Sequence, residues 1–318
     1  MTQEQRNGTP SDGDPPIVNG VRLAFGTPRK LPKASKLPGR VAVVDIAFAS
    51  ESGGRRNAFE KTTMKLIDQL GPRLVAWVDH HDSQHHATFA DDPRFALATK
   101  AEHGACPEMV TPEVVAAAGP VDCIVCHTDF DGLASAAKWI LGGREPYPGC
   151  DDDAWAIDTR IGFPGPTGER CDRALRARPR DEGVMLAVAR WLASELVDEV
   201  AAGVVEAAGA DLVPREAEAD RLAETYVSLT DSLSVVQAGD TPYDKTRLLL
   251  LGQQRTTMSA VIDGDTITFA APFDSGVDFL ERFELSGGMP TIVSIHKARL
   301  AECLVRLGVD EATAARFS

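Results

Sequence analysis

Three short apolar runs punctuate the first half of the chain, and each ends on a residue that can bind a cation. Val41-Ala42-Val43-Val44 runs into Asp45, Leu74-Val75-Ala76-Trp77-Val78 into Asp79, and Val121 to Cys126 into His127. Runs of this length without polar alternation predict strands buried on both faces of a parallel sheet. Helical segments are expected between and after them, roughly over 57–70, 112–118 and 133–141. Strand alternating with helix predicts an α/β fold, a parallel sheet with helices on both faces. In such sheets ligands gather at the carboxyl ends of the strands. Asp45, Asp79 to His81, and His127 to Asp131 are therefore expected to share one cleft.

Outside these runs the pattern changes. Residues 1–36 carry Pro10, Pro15, Pro16, Pro28 and Pro32 among Gly, Ser and Asp, and read as a disordered tail. Residues 37–181 hold the strand ends and read as a metal-binding domain. The Ala-, Glu- and Val-rich stretch from Glu182 to Tyr226 reads as helices, so 182–239 is expected to link or cap. Residues 240–318 read as a second, smaller α/β domain. Its expected strands are Leu248–Leu251, Met258–Phe269 folded at Asp263-Gly264, and Thr291–Ile295, with a last helix near 298–307.

Bulk properties narrow the class. A chain of 318 residues is long enough for two domains with their own cores. It has no stretch of about 18 apolar residues, so no membrane span is expected. The polar N-terminus lacks the basic start and apolar run of a signal peptide, which makes the cytoplasm the expected compartment and the six cysteines reduced thiols. The net charge of -14 disfavours avid binding of long nucleic acid. It leaves room for a small phosphate-bearing substrate, since bound metal would neutralise part of the excess.

The chemistry concentrates at the strand ends. His127-Thr-Asp129-Phe-Asp131-Gly132 alternates three ligand types before a glycine that permits a tight turn into a helix. Imidazole with carboxylates suits Mn²⁺, Mg²⁺ or a similar ion. Helix capping by Asp131 would explain one aspartate and not the cluster. In Asp79-His80-His81, neighbouring side chains of an extended segment point opposite ways, so one histidine can bind metal while the other faces substrate. Asp45 is weak alone and gains meaning from its neighbours. Arg55, Arg56 and Arg160 suit a phosphate clamp and equally suit a solvated surface. Cys123-Ile-Val-Cys126-His127 has haem-attachment spacing but lies inside an apolar strand. His85 and His86 read as a polar rim, His103 and His296 as incidental, and Asp151-Asp152-Asp153 as an exposed acidic loop.

Together, Val-Val-Asp45-Ile-Ala, Val-Asp79-His80-His81 and His127-x-Asp129-x-Asp131-Gly132-x-x-Ser135-Ala136 resemble the motifs of the DHH phosphoesterase superfamily, in its RecJ-like form. That superfamily includes RecJ-type exonucleases, oligoribonucleases that also act on cyclic dinucleotides or phosphoadenosine phosphate, and family II pyrophosphatases. Phe273-Asp-Ser-Gly276 and Ser286-Gly-Gly288-Met-Pro290 resemble its substrate-binding DHHA1 domain, with Met289 where the family has a histidine after the glycine pair. The motif order departs from the family, because His-x-Asp-x-Asp normally precedes the other two. A permuted order rebuilds the same site if all three motifs end strands of one sheet. The resemblance implies two divalent ions, Mn²⁺ first and Mg²⁺ or Co²⁺ as alternatives. It assigns His127, Asp129 and Asp45 to one ion, and Asp131, Asp45, His80 and Asp158 to the other, with Asp45 bridging. His81 would touch the substrate phosphate and Asp79 would orient a ligand. Arg55, Arg56, Arg160, Ser275, Gly287 and Gly288 are the candidate substrate contacts. The implied activity is hydrolysis of phosphate esters in small nucleotides or short oligonucleotides by metal-activated water. A RecJ-like single-strand exonuclease, a pyrophosphatase-like hydrolase and a nucleotide sensor without turnover are the rivals. The reading leaves room for a homodimer.

Overall fold

The structure, a computed structural model, describes residues 15–49, 57–285 and 289–317. Contacts divide the chain into two units: 1–49, 58–154 and 180–203 in the first, and 50–57, 155–179 and 204–318 in the second.

The first unit is built on a six-stranded sheet. Its strands are β1 (Ile17–Val18), β2 (Val21–Phe25), β3 (Val41–Val44), β4 (Leu74–Asp79), β5 (Phe95–Leu97) and β6 (Cys123–Cys126). Their order across the sheet is β1-β2-β6-β3-β4-β5, parallel from β2 onward. Every residue of β3 and of β6 is buried, as expected for central strands covered on both faces. The strands that end at Asp45, Asp79 and His127 are therefore neighbours in space, whatever their order in the chain. In register, Val44 lies beside both Val78 and Cys126.

Residues 17–25 fall in the stretch read from sequence as a tail, yet they complete this sheet. Asn19 (φ 47°) and Gly20 (φ 87°) make a two-residue turn that pairs Val18 with Val21, and β2 then lies parallel to β6. An Asn-Gly pair between valines is a hairpin signal. Flanking prolines conceal it, and a strand this short has no periodicity of its own.

The helices of this unit include α1 (Lys65–Leu70), α2 (Pro112–Ala118) and α3 (Phe130–Ile140). Before α1, residues 59–64 are wound as a π-helix. Helix α2 begins at Thr111, whose side chain accepts from Val114 N–H, with Pro112 at the first turn. Helix α3 is buried from Phe130 to Trp139 and packs on α6 (Glu182–Ala193). Gly, Ala and Ser along its length let it lie close to the sheet. Between them run α4 (Cys150–Thr159) and α5 (Pro166–Ala177). The acidic triplet read as an exposed loop opens α4 instead. Asp153 is buried and accepts from the Tyr147 hydroxyl at 2.6 Å, while Asp151 pairs with Lys138.

In the second unit, α7 (Glu199–Ala210) continues from the first and is followed by α8 (Val213–Ala223). Then come β7 (Val227–Thr230), β8 (Leu233–Gln237), α9 (Lys245–Gln253), β9 (Met258–Asp263), β10 (Thr266–Ala270), α10 (Phe279–Phe283), β11 (Ile292–His296), α11 (Leu300–Arg306) and α12 (Glu311–Ala314). The sheet order is β11-β10-β9-β8-β7. β9 and β10 form the hairpin expected at Asp263-Gly264, where Gly264 has φ 56°. Leu248–Leu251, expected as a strand, lies inside α9. The Asp244 side chain accepts from Arg247 N–H and starts a helix there, and Leu248 and Leu249 fill the core beside Leu222 and Val261. A four-leucine run suits either state, and the cap decides it.

Candidate metal centre at the strand ends

Asp45 follows the last residue of β3 in the left-handed region, at φ 56°. A non-glycine residue held there costs about 1–2 kcal/mol, and Asp is among the residues that tolerate it best. The loop beyond is pinned. The Trp77 indole N–H donates to the Ile46 carbonyl at 2.9 Å, and Ala49 N–H donates to the buried Thr63 hydroxyl at 2.9 Å. The strained residue is thus over-determined by its surroundings and its carboxylate is fixed in place.

That carboxylate is buried, and both of its oxygens lack a hydrogen-bond donor. Oδ1 lies 3.3 Å from His80 Nε2 and 3.9 Å from His81 Nδ1, and Oδ2 lies 3.6 Å from His127 Nδ1. His80 Nε2 is also 3.4 Å from Asp131 Oδ2, another buried oxygen without a donor. Asp129 stands at the N-cap position of α3 but makes no capping bond; its Oδ2 lies 2.6 Å from His127 Nδ1. Two groups of ligand atoms, each within 4.8 Å, therefore share Asp45: Asp45 with His80 and His81, and Asp45 with His127 and Asp129. Hard carboxylates with imidazoles are a donor set that fits divalent ions of the Mn²⁺ and Mg²⁺ kind.

The histidines are oriented from behind. His80 Nδ1 lies 2.9 Å from the His103 carbonyl, which can only accept, so Nδ1 carries the proton and Nε2 faces Asp45 and Asp131. Metal-binding histidines are held in this way. His81 Nδ1 is 2.9 Å from Asp79 Oδ1; Asp79 is wholly buried, whereas the His81 ring is about a quarter exposed, 24%. Gly132 lets α3 close onto His127: a Cβ there would sit 2.8 Å from the His127 carbonyl oxygen and Cβ.

Electrostatics reflect crowded charge. Burial raises the Asp45 carboxyl well above the usual range, helped by Asp131 and Asp129. Burial pulls the His80 ring down, but the adjoining Asp131 and Asp45 carboxylates override it and push it up to about 11. His127 is likewise lowered by burial and raised more by Asp129, to about 10. Without metal, this crowding of carboxylates favours protonated rings.

The structure thus gathers Asp45, Asp79, His80, His81, His127, Asp129 and Asp131 at adjacent strand ends. Asp158 lies on α4, among the residues of the second unit. Arg160, also in that unit, faces Asp172 at 3.6 Å, and the Ser275 hydroxyl accepts from Val277 N–H within its own turn. Arg55, Arg56, Gly287 and Gly288 lie outside the described residues. His85 and His86 are packed against rings: His85 stacks on Phe59 at 3.7 Å, and His86 meets Phe48 edge-on at 5.5 Å. His103, read as incidental, supplies the carbonyl that orients His80. A main-chain acceptor carries no residue signature, so sequence could not reveal it. The cysteines are buried thiols, Cys123 and Cys126 within β6.

No family model matches the chain, and no curated protein does. Among solved structures, it is similar to a pGpG-specific phosphodiesterase, PggH, from Vibrio cholerae, at 14% identity and TM-score 0.39 over 53% of this chain. It is also similar to an exonuclease RecJ bound to manganese, at 13% identity and TM-score 0.44, covering 87% of this chain and 76% of that one. A RecJ from Thermus thermophilus, in complex with Mn²⁺, gives 14% identity and TM-score 0.44, again over 87% of this chain. The chain spans 65% of the phosphodiesterase and 45% of the Thermus RecJ.

Proposed function

We propose that the protein is a metal-dependent phosphoesterase of the DHH kind, acting on phosphate esters of small nucleotides or short oligonucleotides. One observation carries the reading: a buried carboxylate, Asp45, has both oxygens without donors and stands between two ligand groups. Natural proteins seldom leave such atoms unsatisfied, because each costs about 1–3 kcal/mol. In this reading His127, Asp129 and Asp45 hold one ion. Asp45, His80 and Asp131 hold the other, and Asp158 is the further ligand that the motif resemblance assigns. A bound pair of divalent ions supplies an activated water and neutralises charge on the phosphoryl oxygens. The chain's own groups do the rest. The His103 carbonyl keeps the proton of His80 on Nδ1, so that Nε2 is offered to the cation. Asp79 holds the partly exposed His81 ring beside Asp45, where it can meet a substrate phosphoryl group. Mn²⁺ is the ion proposed, and Arg55, Arg56, Arg160, Ser275, Gly287 and Gly288 are the candidate substrate contacts.

The test is a hydrolysis panel with Mn²⁺ and with chelator: dinucleotides, oligonucleotides of graded length, cyclic dinucleotides, phosphoadenosine phosphate and pyrophosphate. Mn²⁺-dependent release of mononucleotide or phosphate from the short substrates is expected. Faster, processive degradation of long single strands would move the reading to a RecJ-like exonuclease. Binding of nucleotide with no turnover under any metal would leave a sensor.

A further inference from the structure

The orientation of His80 depends on the segment between β5 and α2. That segment is held to β4 on one side, where Ala98 N–H donates to the Asp79 carbonyl at 2.9 Å and the Cys106 thiol lies 3.5 Å from the Val78 carbonyl. On its other side it meets α3. Lys138, only 6% exposed, donates from Nζ to the Pro107 carbonyl at 2.9 Å and pairs with Asp151. Asp131 and Lys138 are seven residues apart, so they rise from one face of α3 two turns from each other. Beside Pro107, Glu108 Oε2 lies 3.1 Å from the His103 ring nitrogen Nδ1. The His103 carbonyl then accepts from His80 Nδ1.

A buried lysine paired with a carboxylate is a weak source of stability, since desolvation of both charges can outweigh their attraction. What Lys138 does supply is direction. It fixes one carbonyl of the segment at a set distance from the helix that carries Asp131, and so sets the place of His103.

We propose that Lys138 is a positioning residue of the metal centre: through Pro107 and the Glu108–His103 contact it holds the carbonyl that aims His80 at Asp45 and Asp131. The inference rests on the phosphoesterase reading for its functional meaning, but not for its test. The double variant K138M/D151N removes both charges, leaves no buried ion unpaired and keeps the side-chain volumes. In the metal-free native protein, NMR should show a slowly exchanging proton on His80 Nδ1, and in the double variant that protection should be lost. Mn²⁺ titration followed by electron paramagnetic resonance should then show the ion at the His80 group weakened about 10–100-fold, with the ion at the His127 group unchanged. A retained Nδ1 proton overturns the proposal, whether the two affinities stay native or fall together, because a merely structural role gives that result. If the double variant fails to fold, Glu108→Ala, at a partly exposed contact, is read by the same resonance: lost protection supports the proposal and native protection overturns it. If the native protein binds no Mn²⁺, the phosphoesterase reading fails, and the His80 proton alone still decides the role of Lys138.

Discussion

A single carboxylate sets the terms at the residue scale. Asp45 is strained, buried and without hydrogen-bond donors, each unfavourable by itself, and a cation between its carboxylate and the neighbouring ligand atoms would offset the last two. Its carboxyl is raised, so its ionised form is harder to hold in the folded chain than in the unfolded one. Above its unfolded value this subtracts from stability, and removing the charge relieves it. Asp45→Asn should therefore shift the metal-free melting temperature little, because relief of the buried carboxylate is offset by loss of a partner for the protonated His80 ring. It should also lose hydrolysis and lose the stabilisation that Mn²⁺ gives the native chain, which is about 2.7 kcal/mol at an ion concentration of about 100 Kd. Melting curves with and without Mn²⁺ check both; a variant still stabilised by the ion would mean that Asp45 is no ligand.

The histidines give the pH dependence. His80 and His127 are pushed up to about 11 and about 10 in the metal-free protein, so both rings favour the protonated form at neutral pH. A cation must displace such protons. Metal binding should release protons near pH 7, and apparent affinity should rise as pH rises toward those values, since the competing proton is then lost. Calorimetry in buffers of different ionisation heats measures the release directly. No proton release across the series would show that these rings are not displaced from their carboxylates by the ion.

At the scale of elements, the site depends on how closely α3 approaches the end of β6. The Gly132 position is open only because there is no Cβ: one placed there would press on the His127 main chain at 2.8 Å. Backbone cannot swing aside as a flexible side chain can. Gly132→Ala should destabilise by roughly 1–3 kcal/mol, the usual effect of overpacking. It should also weaken Mn²⁺ binding, because it displaces His127 and Asp131 together. Chemical denaturation and metal titration of the same variant test the two halves separately. The glycine was legible in sequence as a turn; that it serves a close approach was not, since the partner atoms belong to a residue five positions earlier. Elsewhere, local signals competed. The Val41–Val44 run could only be a buried strand, whereas Leu248–Leu251 had the composition of a strand and the cap of a helix.

At the scale of the molecule, charge bears on the kind of substrate. A protein that tracks long nucleic acid does so with a basic surface, and its binding falls steeply with salt as counterions are released. This chain carries a net charge of -14. Its kcat/KM for a short oligonucleotide should stay level or rise between about 50 and 200 mM salt, because screening relieves long-range repulsion. Across a length series at fixed salt, rates should fall as the strand lengthens. A steep loss with salt, together with a preference for long strands, would contradict this and favour the exonuclease.

The sequence by itself determined the α/β class, the buried central strands and the residues standing at their ends, because burial on both faces leaves a continuous apolar run and a functional strand end interrupts it with a charge. It also carried the motifs whose altered order raised the question of a permuted site. Only the tertiary structure decided that β6 lies against β3 and β3 against β4, which brings Asp45, His80 and His127 within a few ångströms across 82 residues of chain. Strand order is set by which faces pack best, and no local pattern records it. The His103 carbonyl and Lys138 belong to the same class of decision: one is a main-chain acceptor and the other a buried charge, and their roles exist only through partners far away in sequence.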